Sequence, residues 1–403
     1  MEKDFTNPFR PGAGHKPPYL AGRVEEKEEF KNLLKQEVVL NNLILTGLRG
    51  VGKTVLLDSF KSIAQESGWM WAGTDCSESA SINEDTIALR LLTDIALITS
   101  NIVIHTEKIK EIGFTKDIRE EKTYLSFSFL RQYYNAVPGL PIDKLKAVSM
   151  FVWDSIKSID GVEGIVFAYD EAQTLSDHAD DRQYPLSILL DLFQYLQRNG
   201  VKFVLVLTGL PTLLTKLVET RTYSERLFHV LTLRQLNDQE SRDAILKPIA
   251  DARCKTKFND ESVKIIIQQS GGYPYFIQFI CREVYDVFEQ KAAKKQKLSV
   301  PIDAIIQKLD NDFFAGRWSR ATEREQQVLI MLAEANKTTF TIQDTLELSN
   351  KSRFKKFSRS QIGQLFNSLI ERGLVYKDKR GSYSFAVPLL NQYIVRTQNT
   401  QPY

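Results

Sequence analysis

The stretch Gly47-Leu-Arg-Gly-Val-Gly-Lys53-Thr54 decides the fold. It fits the pattern G-x-x-x-x-G-K-[ST], in which glycines let successive backbone N–H groups wrap a phosphate at the N-terminus of a helix. The apolar run at 38–46 predicts a buried strand before the turn, and the pattern at 53–67 predicts a helix after it. Strand, glycine turn and helix in this order predict a phosphate-binding loop, or P-loop.

The loop residues predict which cofactors bind. Lys53 is expected to reach the β- and γ-phosphates, and Thr54 to ligate Mg²⁺. ATP and Mg²⁺ are therefore the expected cofactors. The expected nucleotide contacts in the loop are Gly47, Leu48, Arg49, Gly50, Val51, Gly52, Lys53, Thr54 and Val55.

Two later apolar runs end in polar residues. Residues 164–169 lead into Asp170 and Glu171, and residues 201–207 lead into Thr208. Asp170 is the expected carboxylate on the metal side, and Glu171 is placed to orient and deprotonate an attacking water. Thr208 could bind the γ-phosphate or that water, or could simply end a strand. Apolar runs alternating with helical patterns predict a parallel sheet covered by helices on both faces.

The composition of the chain limits the class of protein and the number of domains. The chain has 403 residues, of which 43% are hydrophobic and 26% charged, and this favours a soluble globular protein of two or three domains. The cysteines Cys76, Cys254 and Cys281 form no Cys-x-x-Cys pair, so neither a zinc site nor a disulfide scaffold is expected. No apolar run has the length of a membrane span, and a cytoplasmic location without a membrane partner is expected.

The predicted division has four parts: an N-terminal arm at 1–36, an ATPase core at 37–236, a helical lid at 237–316 and a winged helix-turn-helix at 317–403. The lid is helical throughout apart from the break at Gly271-Gly-Tyr-Pro274. Three helical patterns followed by two short strands, at 374–377 and 383–387, give the plan of a winged helix. Residues 100–149 are less regular, and inserted helices are expected there.

Taken together, these motifs resemble those of AAA+-type P-loop ATPases, in the branch shared by origin-recognition initiators of archaea and bacteria and by STAND signalling ATPases. The resemblance spans residues 7–396. It implies an α/β fold with a parallel-sheet P-loop core, a helical lid and a C-terminal winged-helix domain.

Further residues take roles from this resemblance. Leu20-Ala-Gly-Arg-Val-Glu-Glu26 resembles the hhGRxxE segment, which implies that Gly22 and Arg23 lie near the adenine. Gly272-Tyr-Pro274 is similar to the GxP motif, which implies that Pro274 touches the base. The lid lacks the sensor 2 arginine of ordinary AAA+ enzymes, and Thr208-Gly209 lacks the arginine frequent in STAND proteins, so the branch stays open.

Two arginines are candidates for a finger that reaches the nucleotide of a neighbouring subunit. Arg226 lies where initiator-type ATPases carry this residue, and it is preferred over Arg221. An ordinary surface arginine is the commoner explanation for either one. Self-assembly through Arg226 is accordingly one of the expected partnerships.

The C-terminal segment is basic. Residues 318–403 hold 13 Lys/Arg against 7 Asp/Glu, a charge of +6 in a chain whose total is +3. Five cations at 350–359 precede the predicted recognition helix, and others lie on the wing. The candidate contacts to double-stranded DNA are Lys355, Lys356, Arg359, Lys379 and Arg380, and non-specific binding is favoured over sequence readout. The alternative is a solvated surface or an internal clamp against the ATPase.

Two functions from different classes follow. The first is an ATP-binding and slowly ATP-hydrolysing molecular switch whose nucleotide state controls assembly and DNA engagement through the winged helix. The second is a STAND-like regulator with slow turnover that acts on a protein effector rather than on DNA. A phosphotransferase is disfavoured because no acceptor pocket is apparent, and the biological process is not determined by the fold.

Overall fold

The computed structural model describes residues 7–12, 14–75, 78–110, 118–377 and 381–400. It divides the chain into two compact units. The first unit comprises Met1–Arg23, Gly47–Val55 and Leu233–Tyr403, and the second comprises Val24–Thr46 and Leu56–Thr232. The P-loop, the lid segment and the C-terminal domain therefore all belong to the first unit.

A five-stranded sheet forms the centre of the second unit. The first seven strands of the chain are β1 (Asn42–Gly47), β2 (Trp69–Asp75), β3 (Val103–Lys110), β4 (Ile118–Tyr124), β5 (Gly164–Asp170), β6 (Phe203–Gly209) and β7 (Phe228–Leu233). The sheet has the order β2-β5-β6-β1-β7, and the β2–β5, β5–β6 and β6–β1 pairs are parallel. Every residue of β1, β5 and β6 is buried, as expected when helices cover both faces. The predicted α/β core is confirmed.

Helices pack on this sheet through apolar and aromatic side chains. They are α1 (Val24–Leu34), α2 (Lys53–Glu66), α3 (Glu84–Thr99), α4 (Phe127–Ala136), α5 (Pro141–Ile156), α6 (Pro185–Arg198), α7 (Thr212–Thr220) and α8 (Ser224–Leu227). Phe30 of α1 stacks on Phe60 of α2 with ring centroids 4.2 Å apart. Phe167 of β5 meets Phe193 of α6 edge to face at 5.4 Å. These contacts fix the helices that flank the strand ends.

The described part of the segment at 100–149 differs from the prediction of inserted helices. The helices α4 and α5 lie there as expected, but β3 and β4 form an antiparallel hairpin that was not predicted. Glu107 lies opposite Glu121 and Thr106 opposite Lys122 in its register. These residues are exposed or nearly so. The hairpin forms a two-stranded sheet of its own.

The lid segment of the first unit is helical. Its helices are α9 (Asp238–Asp251), α10 (Asp260–Ser270), α11 (Pro274–Ala293) and α12 (Ile302–Leu309), followed by a π-helical turn at Asp310–Ala315 and by α13 (Gly316–Trp318). Phe9 of the N-terminal arm stacks on Phe258 at 6.0 Å, and Phe314 stacks on Tyr393 at 5.3 Å. One hydrophobic cluster therefore joins the arm, the lid and the C-terminal domain.

The C-terminal domain contains α14 (Glu323–Glu334), β8 (Thr339–Phe340), α15 (Ile342–Lys351), α16 (Arg359–Glu371), β9 (Val375–Lys377), β10 (Tyr383–Phe385) and α17 (Leu390–Thr400). The strands form an antiparallel sheet in the order β8-β10-β9. Ile362, Phe366 and Leu369 of α16 are buried, as the helical pattern predicts. The arrangement is consistent with a winged helix. The strand β8 and the helix α17 were not predicted, and the four-part domain division stays a prediction.

Candidate nucleotide site

The P-loop has the backbone that phosphate binding requires. Gly50 and Gly52 have φ values of +79° and +92°, a conformation that a residue with a Cβ rarely adopts. A Cβ on Gly52 would meet no atom within 4 Å, so the space beside this glycine is open. Lys53 begins α2, whose first N–H groups lack partners within the helix. These features form a backbone cradle for an anion.

Lys53 is folded over the loop. Its side chain is 9% exposed, and Nζ donates hydrogen bonds to the carbonyl oxygens of Gly47 (3.0 Å) and Leu48 (3.1 Å). An ammonium in this position lies where a phosphate held by the loop would be neutralised. The predicted role of Lys53 is consistent with this geometry and stays a prediction.

The N-terminal arm is tied to the P-loop by a buried arginine. Arg23 is 5% exposed, and Nη2 donates to the carbonyl oxygens of Val51 (3.1 Å) and Arg234 (2.8 Å). A Cβ on Gly22 would come within 2.5 Å of the carboxyl carbon of Glu240, so the chain passes close to α9 here. Gly22 and Arg23 therefore lie beside the loop, and their contact with adenine stays a prediction.

The first turn of α11 lies on the P-loop. Pro274 begins this helix, and the N–H of Tyr275 donates to the carbonyl oxygen of Gly50 at 3.1 Å. A Cβ on Gly50 would stand 3.1 Å from the Cβ of Tyr275. The loop carbonyl thereby satisfies one of the N–H groups that a helix N-terminus leaves unpaired. Pro274 is thus next to the loop, as the GxP resemblance implies.

The C-terminal domain also reaches the P-loop. Nη2 of Arg49 lies 3.4 Å from the position that a Cβ on Gly373 would occupy, in the turn between α16 and β9. Arg49 has no hydrogen bond or ion pair with any residue that the structure describes. Its guanidinium is therefore available to an anion at the loop, or to the carbonyl oxygens at the carboxyl end of α16.

A second arginine, Arg317, lies in the same neighbourhood. Its guanidinium carbon stands 3.9 Å above the ring of Phe313, whose centroid is 5.1 Å from that of Tyr275. Burial, and then the positive charges of Arg49 and Arg320, lower the pKa of Arg317 from its ordinary value. The positive charge beside the loop thus exceeds that of Lys53. Sequence patterns gave no signal for Arg317, because it follows the lid helices by an irregular π-helical turn.

The acidic pair at the end of β5 lies in the second unit. Asp170 is 4% exposed, and one carboxylate oxygen accepts the N–H of Glu171 at 2.8 Å. Glu171 is exposed and has φ 51° and ψ 33°, a left-handed conformation that costs about 1–2 kcal/mol for a residue with a Cβ. Its carboxylate accepts a hydrogen bond from the amide of Gln173. The sequence motif gave no role to Gln173.

Two threonines mark the same edge of the sheet. Thr208 pairs with Leu45 across the parallel β6–β1 ladder, and Tyr169 lies opposite Leu207, so Asp170 and Thr208 end adjacent strands. The hydroxyls of Thr208 and Thr46 are buried and have no hydrogen-bond partner among the described residues. A buried hydroxyl without a partner costs about 1–3 kcal/mol, which indicates a site for a ligand or water. The sensor role of Thr208 stays a prediction.

The two candidates for the arginine finger differ in whether the side chain is already held by an ion pair. Arg221 forms a two-point ion pair with Asp191, both N–O distances being 3.2 Å, and the hydroxyl of Tyr223 donates to the same carboxylate. These bonds to Asp191 raise the pKa of Arg221. Arg226 lies exposed on α8, and its side chain makes no hydrogen bond or ion pair with the described residues. The geometry favours Arg226 over Arg221.

The basic segment before α16 presents its cations outward. Lys355, Lys356 and Arg359 are exposed, whereas Phe357 between them is buried with the guanidinium of Arg324 3.8 Å above its ring. The aromatic ring anchors the segment, and the cations remain available to phosphates. Lys379 and Arg380, the predicted wing contacts, lie outside the described residues, as does Cys76.

The donor set fits Mg²⁺ chemically. The predicted ligands, the hydroxyl of Thr54 and the carboxylate of Asp170, are hard oxygen donors, and Mg²⁺ in nucleotide sites commonly binds one or two such groups together with phosphates. Among the residues that the structure describes, no cluster of three or more His, Cys, Asp or Glu could hold a metal.

Comparisons with known proteins identify the fold. A family model described as "Domain of unknown function (DUF8462)" matches residues 311–394, and no curated protein matches the chain. The ORC2 protein of Aeropyrum pernix is similar in its ADPNP-ADP complexes, with 16% identity, a TM-score of 0.52 and coverage of 96% of this chain and 97% of that one. Its ADP form gives 16% identity, a TM-score of 0.50 and coverage of 96% and 95%.

The chain therefore shares its fold with these ORC2 structures, as the sequence resemblance to origin-recognition-type AAA+ ATPases implied. At 16% identity this likeness defines the fold and leaves the activity to be argued from the residues. The comparisons give the STAND alternative no support. No helix among the described residues has both the length and the apolar character that crossing a membrane requires.

Proposed function

We propose that the protein is an ATP-binding and slowly ATP-hydrolysing switch whose nucleotide state controls its assembly and its engagement of double-stranded DNA. One observation carries the proposal: within the first unit, the P-loop touches both the lid and the C-terminal domain. Gly50 accepts from Tyr275, and Arg49 lies against Gly373. A phosphate that draws Arg49 toward the loop therefore changes a contact at the end of α16.

The loop residues of this chain bind and position the nucleotide. Backbone N–H groups from Gly50 to Thr54 would hold the β-phosphate, and Lys53 would exchange its two loop carbonyls for phosphate oxygens. Bound Mg²⁺, held by Thr54 and Asp170, would supply positive charge to the phosphates. Gly22, Arg23 and Pro274 would contact the base, because they adjoin the loop in the first unit.

Glu171 is the proposed general base. The support is the order of motifs along the chain and the alignment of β5, β6 and β1, whose carboxyl ends lie at one edge of the sheet. A carboxylate at such an edge can orient a water and accept its proton. Thr208, with its buried and unpartnered hydroxyl, would bind the terminal phosphate or the water.

Replacing Lys53 tests nucleotide binding. Lys53→Ala removes the ammonium that neutralises the phosphates, and we expect ATP affinity to fall by about 100-fold, or ~2.7 kcal/mol. Lys61→Ala is the matched control, because Lys61 is an exposed lysine of the same helix. Titration with a fluorescent ATP analogue measures both. Equal affinity in the two variants would sink the proposal.

Arg226 is the proposed finger between subunits. Its free, exposed guanidinium can reach a neighbouring copy, whereas that of Arg221 is held by Asp191. We expect Arg226→Ala to lower hydrolysis chiefly at protein concentrations where the wild type assembles. Hydrolysis that falls by the same factor at every concentration would remove the support for a finger between subunits.

A further inference from the structure

One side chain joins the ends of two neighbouring strands in the second unit. The amide Nε2 of Gln173 donates to a carboxylate oxygen of Glu171, and the amide Oε1 accepts the N–H of Leu210 at 3.1 Å. A Cβ on Gly209 would come within 2.6 Å of that same Oε1, so the amide fits closely against the end of β6. Gln173 therefore connects the strand that carries Thr208 to the proposed base.

The backbone of Gln173 is held independently of its side chain. Its carbonyl oxygen accepts from Nζ of Lys216 at 2.7 Å, and the same ammonium donates to Oγ of Ser176 at 2.8 Å. Burial lowers the pKa of Lys216, and the carboxylate of Asp177 opposes this shift. The short helical turn at Ala172–Thr174 thus has its own anchors. Replacement of the Gln173 side chain leaves those anchors in place.

Glu171 is held in an unfavourable backbone conformation. Its φ of 51° lies in the left-handed region, which residues with a Cβ occupy when their surroundings hold them there. The carbonyl of Glu171 accepts both the N–H (3.0 Å) and the hydroxyl (2.9 Å) of Thr174, and the carboxylate accepts from Gln173. A carboxylate oxygen that accepts the amide N–H has less capacity to accept from a water.

We propose that Gln173 is a positioning residue that restrains Glu171 and keeps the resting rate of hydrolysis low. Leu210 follows Thr208 by two residues, so a ligand that engages the Thr208 hydroxyl shifts the N–H that orients the Gln173 amide. The amide then releases the carboxylate to water. This inference rests on the proposed ATP hydrolysis and adds its regulation.

Two substitutions separate the two bonds of Gln173. Gln173→Ala removes both, whereas Gln173→Glu can still accept from Leu210 but cannot donate to Glu171. We expect both variants to raise kcat by roughly three- to tenfold while ATP affinity stays unchanged, because the restraint acts on the base and not on the nucleotide. Gln183→Ala is the matched control: it removes a glutamine amide of the same unit that accepts the N–H of Glu84 and is not bonded to Glu171.

The measurements are steady-state ATP hydrolysis, ATP affinity by titration and thermal melting to confirm folding. A rise in kcat that disappears when Glu171→Gln is added shows action through the base. A wild-type rate for Gln173→Glu, or a lower kcat for both variants, overturns the restraint. If Glu171→Gln stops hydrolysis but neither Gln173 variant changes kcat, this inference alone fails. If the wild type neither binds nor hydrolyses ATP, the proposed function fails and the restraint with it.

Discussion

At the scale of single residues, several polar residues have energetically costly positions or conformations, which the apolar periodicity of the sequence does not predict. The hydroxyls of Thr46 and Thr208 are buried without partners, and Glu171 is held in a left-handed conformation. Each costs free energy in folding, on the order of 1 kcal/mol or more. Such costs at the ends of adjacent strands are expected where a ligand is to be bound.

A residue outside the proposed site gives a test of the electrostatics. Asp344 accepts hydrogen bonds from Lys337 and from the N–H and hydroxyl of Thr341, which lower its pKa from 3.8 to about 2. Because the folded pKa is depressed, this stabilisation is complete above pH 3.8 and is lost as the pH falls toward 2. The side chain is 30% exposed, so solvent screening limits the contribution to about 1 kcal/mol.

Asp344→Asn should therefore lower the free energy of unfolding by about 1 kcal/mol at pH 7. The difference between wild type and variant should narrow below about pH 4, with about half remaining near pH 3. Urea denaturation at several pH values measures it. A difference that stays constant from pH 6 to pH 3 would show that the Asp344 carboxylate is not stabilised by its charge.

At the scale of elements, sequence patterns located the buried strands and most helices but missed the exposed hairpin. The strands β1, β5 and β6 are buried at every position, which gives continuous apolar runs that stand out. The hairpin of β3 and β4 has no buried face among its described side chains, and its Glu- and Lys-rich sequence carries no alternation of apolar and polar residues.

At the site, residues within short motifs are predictable from sequence, whereas residues placed by tertiary contacts are not. The P-loop and the Asp-Glu pair have short motifs whose chemistry fixes the spacing, so Lys53, Asp170 and Glu171 could be named from sequence. The positions of Gln173 and Arg317 depend on contacts made by the tertiary fold. No spacing rule connects Gln173 to Leu210, or Arg317 to Arg49.

We expect the exposed basic segment before α16 to bind DNA. Replacing Lys355, Lys356 and Arg359 together by Gln should weaken binding to duplex DNA and reduce the slope of log K against log salt by roughly three, since each phosphate contact contributes about 0.9. The matched control replaces Lys294, Lys295 and Lys297, three exposed cations near the end of α11. Binding at several salt concentrations measures both slopes. Equal slopes, or no binding by the wild type, would favour a protein effector over DNA.

At the scale of the whole molecule, the first unit contains the proposed nucleotide loop, and one hydrophobic cluster within it joins the lid to the winged-helix-like domain. The contacts of Gly50 with Tyr275 and of Arg49 with Gly373 are short and direct. In the proposed switch, a change of phosphate occupancy at the loop would act through these contacts on α16 and on the basic segment at its N-terminus. This route is the reason for regarding the protein as a switch.

The affinity of the Glu171→Gln variant for duplex DNA, with ATP bound and with ADP bound, tests this claim most directly. The variant keeps the loop and Lys53 but lacks the base, so each nucleotide state persists during the measurement. We predict that the two affinities differ by about tenfold or more, ~1.4 kcal/mol, and that adding Lys53→Ala abolishes the difference. Equal DNA affinity in the ATP and ADP states would contradict the account.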